Sequence, residues 1–237
     1  MKINLYDDSV GFVELVDHMG DDLSVVNSAR VSFGKHKKKL DTKDKKLIQY
    51  LIKHKHTSTL EHCVVTFRFK VPLFISKQHM RHRTWSYNEI SRRYTDFNIE
   101  FYEPKAFRKQ SESNRQASVD ELINPNINVD HPLVANLVET EASELVQKHH
   151  IDSLKLLDQL LEAGVCREQA RGVLPQNMYT EYYATANLNN ILKFVDLRIH
   201  EGAQWEIQQV AKAVLDITEE LFPITVGSYR EIKSENH

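Results

Sequence analysis

The sequence predicts an α/β (α+β) fold, a mixed sheet accompanied by several long helices and no Rossmann unit. Three observations predict it. The stretch "CVVTFRFKVP" alternates apolar and polar side chains with the period of a half-buried strand. Long stretches toward the C-terminus repeat apolar residues at helical spacing. Neither G-x-G-x-x-G nor G-x-x-x-x-G-K-S/T occurs among the seven glycines, so no glycine-rich phosphate cradle is encoded. The 237 residues show no internal repeat and no clean linker, and a single domain spanning 1–237 is expected.

The elements follow in order. "KINLY" alternates weakly and reads as a short strand. Asp21 or Asp22 stands where a cap belongs before the helical "LSVVNSARVSF". "KHKKK" reads as a solvated charge run. In "DTKDKKLIQYLIKH", Leu47, Ile48, Leu51 and Ile52 fall on one face behind an Asp41 or Thr42 cap, giving an amphipathic helix. Cys63, Val65, Phe67, Phe69 and Val71 form the inward face of the alternating strand, which stops at Pro72. Pro72 then suits the first turn of a helix running through "PLFISKQHMRHR", with Gln78 and Arg81 sharing a face. Residues 109–131 are polar and Asn-rich and predict a long loop or variable insertion. From Pro132 to Gly164 the spacing of Val134, Leu137, Val138, Leu145, Leu154, Leu157, Leu160 and Leu161 predicts helix, ended by Gly164. "REQARGVLP" predicts a short helix closed by Pro175. The stretch from Asn187 to Phe222 predicts one long helix, or two joined near Gly202, halted before Pro223.

Bulk composition narrows the function. Hydrophobic residues make up 41% and charged residues 27%, as in a globular enzyme. A net charge of -2 lacks the basic excess of a protein that grips nucleic acid, so no nucleic-acid partner is expected. The N-terminus has no basic and apolar leader pattern, and no apolar run spans a bilayer, so a cytoplasmic protein without a membrane partner is expected. Cys63 and Cys166 alone build neither a disulfide framework nor a four-cysteine zinc site. His54, His56, His62, His79, His82, His149 and His150 match no metal-ligand spacing, and no metal is expected.

The chemistry concentrates in "RHRTWSYNEISRRY", Arg81 to Tyr94, where four arginines surround one glutamate. Guanidinium groups bind phosphate bidentately, through charge-assisted bonds about twice as strong as neutral ones. Glu89 among them stays ionised and orients them or accepts bonds from a ligand, while Ser86, Asn88 and Ser91 add short donors and acceptors. Ser91 has the look of a nucleophile but no evident base, and reads as a ligand contact.

This segment resembles the signature R-H-R-x-x-S-x-N-E-x-S-x-R-Y of the flavin-dependent thymidylate synthases. "SARVSF", "HTSTLEH", "QHMRHR", "EQARGVLP" and "DLRIHEGAQWEIQ" resemble segments of the same family in the same order, so the likeness runs from about Ser28 to Gln209. It implies reductive methylation of dUMP to dTMP without a cysteine nucleophile. 5,10-Methylenetetrahydrofolate would give the one-carbon unit and NADPH would reduce a bound FAD. It also implies a homotetramer with active sites shared between subunits.

Residue by residue, the resemblance places Gln78, His79, Met80, Arg81, Glu89, Ile90, Ser91, Arg92, Arg93, Arg171 and Arg198 at dUMP, with Arg93 and Arg171 favoured for its phosphate. It places His56, Ser58, Arg81, His82, Arg83, Asn88, Glu89, Asn187, Asn189 and Lys193 at FAD. Arg198 matches the arginine that favours ionisation of the uracil ring and is the catalytic candidate. Where many members carry a histidine before "AQ", this chain has Gly202, and Asn189 and Lys193 stand near positions often held by Arg and Asn.

Overall fold

A computed structural model describes residues 1–94, 98–115, 117–131 and 134–235 of the chain. The strands are β1 Lys2–Asn4, β2 Phe12–Met19, β3 Val64–Pro72, β4 Ser86–Glu89, β5 Phe107–Gln110, β6 Ser118–Ile123, β7 Asn126–His131, β8 Val134–Glu141 and β9 Tyr179–Asn187. The helices are α1 Asp22–Arg30, α2 Thr42–Lys53, α3 Leu73–His79, α4 Ala142–Glu162, α5 Arg167–Ala170, α6 Leu188–Arg198, α7 Trp205–Leu221 and α8 Pro223–Ser234. The chain forms two compact units, Met1–Lys70 with Lys77–Glu89 and Glu181–His237, and Val71–Ser76 with Ile90–Thr180. Three of their four boundaries fall inside β3, α3 and β9 and the fourth at the end of β4, which is why no linker composition announces them.

The first unit is built on a five-stranded sheet in the order β1-β2-β3-β9-β4, in which β1–β2, β2–β3 and β4–β9 pair antiparallel. The expected alternation on β3 holds: Cys63, Val65, Phe67, Phe69 and Val71 are fully buried. Each such Phe or Val contributes roughly 1.5–3 kcal/mol of burial free energy. On the other face Arg68 pairs with Glu14 and Glu181 on the flanking strands. The expected C-terminal helical stretch is two helices, α6 and α7, separated at Ile199–Gln204 around Gly202. Buried Asp22 reaches across 200 residues of sequence to cap α8, accepting from the Ile224 and Thr225 amides at 2.8 and 2.9 Å.

The helix after Pro72 is shorter than expected. Pro72 closes the strand instead of opening the helix, α3 stops at His79, and Arg81 lies in the following turn, so Gln78 and Arg81 share no helical face. Side chains capture the carbonyls that a longer helix would have used. Arg198 Nη2 donates to Gln78 O at 3.1 Å, and the Tyr87 hydroxyl lies 2.8 Å from His79 O and 3.0 Å from His82 O. Unpaired terminal carbonyls need such partners.

The second unit overturns two expectations. Residues 109–131, expected as a long loop or a variable insertion, are not a loop: they enter two antiparallel hairpins, β5–β6 and β7–β8. The helix expected from Pro132, a residue outside those described, begins only at Ala142. Val134, Leu137 and Val138 mimic helical spacing, yet Val138 sits opposite Val129 across a ladder and Leu137 is exposed. Pro125 O and Asn124 Oδ1 accept from the Ala142 and Ser143 amides at 3.0 Å each, which fixes the start of α4. Gly164, with φ of +88°, ends that helix as expected.

One ion cluster corrects the reading of the lysine run. Asp44, fully buried in the first turn of α2, accepts from Arg30 Nη2 at 2.6 Å, from Lys37 Nζ at 2.5 Å and from the Asp41 amide at 2.9 Å. Lys37 is therefore held in place, not merely solvated. These bonds outweigh the cost of burial and hold the Asp44 carboxyl down at about 2. We expect Asp44→Asn to lower stability by about 3 kcal/mol at pH 7 in urea unfolding. A depressed carboxylate stabilises above its ordinary pKa and loses that contribution as pH falls through its folded value. The gap between parent and variant should therefore close as pH falls toward about 2.

Candidate active site

In the first unit the arginine-rich segment leaves α3, turns at Met80–Trp85 and enters β4 at the edge of the sheet. The turn is anchored by His79, whose ring is fully buried among Phe69, Trp85, Tyr87 and Phe194, at centroid distances of 4.8, 4.6, 5.2 and 4.7 Å. Its Nδ1 lies 3.0 Å from the Tyr182 hydroxyl. Burial, then the positive fields of His82 and Arg198, hold the imidazole neutral. The His79 side chain is therefore a core element, which leaves its backbone to meet any nucleotide.

Arg198, the last residue of α6, is half-buried. Its Nε donates to His82 Nε2 at 3.1 Å, while its Nη2 holds Gln78 O. Burial, followed by the guanidinium of Arg81, lowers its pKa, which marks a concentration of positive charge. His82 is lowered to about 4 by burial and by Arg198. The structure thus brings Gln78, His82 and Arg198 together, with Arg81 close enough to be felt. Gln78 uses its amide on Gln204 at 2.6 Å. Met80 and Glu89 are half-buried, whereas Arg81, Arg83 and Asn88 are exposed.

The other expected flavin residues vary in availability. His56, Ser58 and Lys193 are exposed, and Asn187 caps α6 by accepting from the Asn190 amide at 2.9 Å. Asn189 is buried and donates to Glu61 at 3.0 Å, so its side chain is committed within the chain.

In the second unit Ile90 is exposed, Ser91 and Arg92 are half-buried, and Arg93 and Arg171 are exposed. Arg92 and Arg171 line one hollow with Arg167, Ile99, Leu157, Leu161 and Leu174. Arg93 pairs with Glu168, whose carbonyl accepts from Arg171 Nε at 3.4 Å. The Ser91 hydroxyl accepts from the Arg93 amide at 3.3 Å, which suits a turn and not a nucleophile. Glu168 and Arg167 were not singled out in the sequence. The available signal was their place one turn before Arg171 in "REQAR". Among the described residues no group of three or more His, Cys, Asp or Glu is placed to hold a metal ion, and no helix is long and apolar enough to cross a membrane.

Fold and side-chain chemistry describe an α+β enzyme whose guanidinium groups suit a phosphorylated small molecule. The model of a family described as thymidylate synthase complementing protein matches residues 14–224. A flavin-dependent thymidylate synthase of Thermus thermophilus is 44% identical over 221 residues, covering 93% of this chain and 76% of that protein. One from Thermotoga neapolitana is 42% identical over 229 residues, covering 97% and 94%. Among solved structures, a UMP/dUMP methylase, PolB, from Streptomyces cacaoi bound with 5-Br dUMP aligns with a TM-score of 0.77. It is 30% identical and 97% of each chain is covered. The chain belongs to the flavin-dependent thymidylate synthases and is a flavin-dependent methyltransferase.

The donor set fits a flavin dinucleotide. Arg81, Arg83 and Lys193 are exposed cations for an anionic diphosphate, and Asn88, His56 and Ser58 are exposed polar groups for a heteroaromatic edge. Asn189 is the exception.

One consequence concerns protonation. A His82 lowered to about 4 is neutral at every pH above roughly 5. The unfolded chain takes up this proton from about pH 6.5, so stability from this group is full above that value and is lost as pH falls toward 4. An NMR titration of the imidazole signals should find His82 unprotonated at pH 5.5. A midpoint near 6.5 would show that it does not lie beside Arg198.

Proposed function

We propose that the protein converts dUMP to dTMP by reductive methylation, with 5,10-methylenetetrahydrofolate as one-carbon donor and NADPH as reductant. The observation that carries this reading is Arg198, a half-buried guanidinium fixed by two acceptors beside a second arginine. Uracil C5 becomes nucleophilic when negative charge from a deprotonated ring nitrogen spreads through the conjugated system. A preorganised cation beside that nitrogen stabilises the anion, as a donor in an oxyanion hole does.

The other residues divide by chemistry. Arg93 and Arg171 suit the nucleotide phosphate, and Gln78, Arg81, Glu89, Ser91 and Arg92 complete the dUMP contacts. Met80 and His79 contribute through the backbone of the turn. Arg81, His82, Arg83, Asn88, Glu89, Asn187, His56, Ser58 and Lys193 would hold FAD. When bound, FAD carries hydride equivalents from NADPH to the transferred carbon.

A cysteine nucleophile finds no support in either thiol. Cys63 is buried just before β3 and its pKa is pushed up to about 11 by burial, then by Asp21 and Asp22. Its Sγ leaves no room for a side chain at Gly20, whose φ of +91° admits glycine. Cys166 is exposed before α5, with its Sγ 3.8 Å from Gln169 Oε1. A cytoplasmic homotetramer with shared sites completes the proposal, and family membership supports it.

Two measurements test the reading. Purified protein should be yellow and should bleach with NADPH under anaerobic conditions, faster when dUMP is present. Colourless protein that does not reconstitute with FAD would overturn it. Arg198→Ala should keep its flavin yet release tritium from C5-labelled dUMP roughly a hundredfold more slowly, the effect of losing one preorganised donor. A near-normal rate would remove Arg198 from the chemistry.

A further inference from the structure

A catalytic guanidinium must be held in one plane without having its charge cancelled. The usual partner for arginine, a carboxylate, orients it well but neutralises it. Arg198 has no carboxylate among its described hydrogen-bond partners. One edge of its fork, Nε and Nη2, is taken by two uncharged acceptors, His82 Nε2 and Gln78 O, both at 3.1 Å. A single acceptor would let the guanidinium swing; two on one edge fix its plane and leave Nη1 on the other side.

His82 is itself built in. Its carbonyl accepts from the Tyr87 hydroxyl at 3.0 Å and from the Trp85 amide at 3.2 Å, and its ring meets Phe194 edge-on at 5.0 Å. An imidazole that accepts at Nε2 carries its proton on Nδ1, so it is neutral by the geometry of the bond. The groups around it are cationic or neutral: Arg198, Arg81 beside Arg198, and the buried ring of His79.

We propose that His82 is a positioning residue for the methylation chemistry, orienting Arg198 as a neutral acceptor so that the full positive charge stays available to the pyrimidine anion. This rests on the function proposed above, since it needs an anion at Arg198.

Three variants test it: His82→Gln, which keeps a neutral acceptor; His82→Glu, of the same size but charged; and His82→Leu, which has none. Each is measured for flavin content by absorbance, dUMP affinity by calorimetry, thermal midpoint, and kcat and KM by tritium release. His82→Gln should stay within about tenfold of the parent kcat. Taken per bound flavin, kcat of His82→Glu and His82→Leu should fall on the order of a hundredfold with little change in KM, whatever flavin each variant loses.

The glutamine and glutamate pair decides the matter even where the leucine variant unfolds, because the two share volume and differ in charge. Equal kcat values for them would overturn the proposal, as would a leucine variant at the parent rate. Loss of flavin in step with kcat would instead make His82 a flavin contact only, and would also overturn it. Parent protein that binds flavin but releases no tritium would refute the underlying function. Active parent protein whose variants ignore acceptor chemistry would refute this inference alone.

Discussion

The end of α3 is the constraint on which the site depends. A seven-residue helix leaves carbonyls without intrahelical partners, and buried carbonyls must be paired. Here side chains from β4 and α6 serve those of Gln78 and His79. Tyr87 comes from the strand that follows the turn, and Arg198 from the end of a helix more than a hundred residues away in sequence. Ending the helix and placing the Arg198 guanidinium are thus one event. The turn carrying Arg81, His82 and Arg83 exists because the helix stops, and Arg198 is anchored because a carbonyl is free to receive it.

Beneath the turn lies an aromatic floor. Phe69 stacks on Tyr182 at 5.1 Å with ring planes 15° apart, and His79 packs against both. A histidine that is fully buried and uncharged acts here as an aromatic residue with a polar tip, engaged on the Tyr182 hydroxyl. Burial pushes the pKa values of Tyr182 and Tyr87 upward, so both phenols stay protonated. The floor is rigid and neutral while the rim is cationic. That gradient concentrates charge where a ligand would meet it.

Legibility in the sequence tracked how local each determinant is. The β3 alternation, the caps at Asp21 or Asp22 and at Asp41 or Thr42, and the Gly164 stop need only neighbouring residues, and all were readable, with the structure choosing Asp21 and Asp41. The hairpins β5–β6 and β7–β8 were not, because pairing of Val129 with Val138 is a contact across a turn while Val134, Leu137 and Val138 match helical spacing by coincidence. Asp44 was invisible for a similar reason: its partners Arg30 and Lys37 lie in segments that read separately as helix and loop. In the candidate site, the motif segment named candidate residues but not how they are held. His79 was counted as a ligand because it stands in the motif, and only the packed rings show it turned inward.

Arg93 in the second unit and Arg198 in the first have opposite partners, and the contrast accords with the different roles proposed for them. Arg93 is exposed and paired with the exposed carboxylate of Glu168. A surface pair of this kind is worth about 0–1 kcal/mol, so a phosphate dianion, with more charge and two oxygens for the fork, displaces it at small cost. Arg198 is half-buried and paired with an imidazole and a carbonyl. Water screens it less, so its field on a nearby anion is stronger, and neither partner competes with that anion. A carboxylate suits an arginine that must wait for a ligand; an uncharged acceptor suits one that must stabilise charge as it forms.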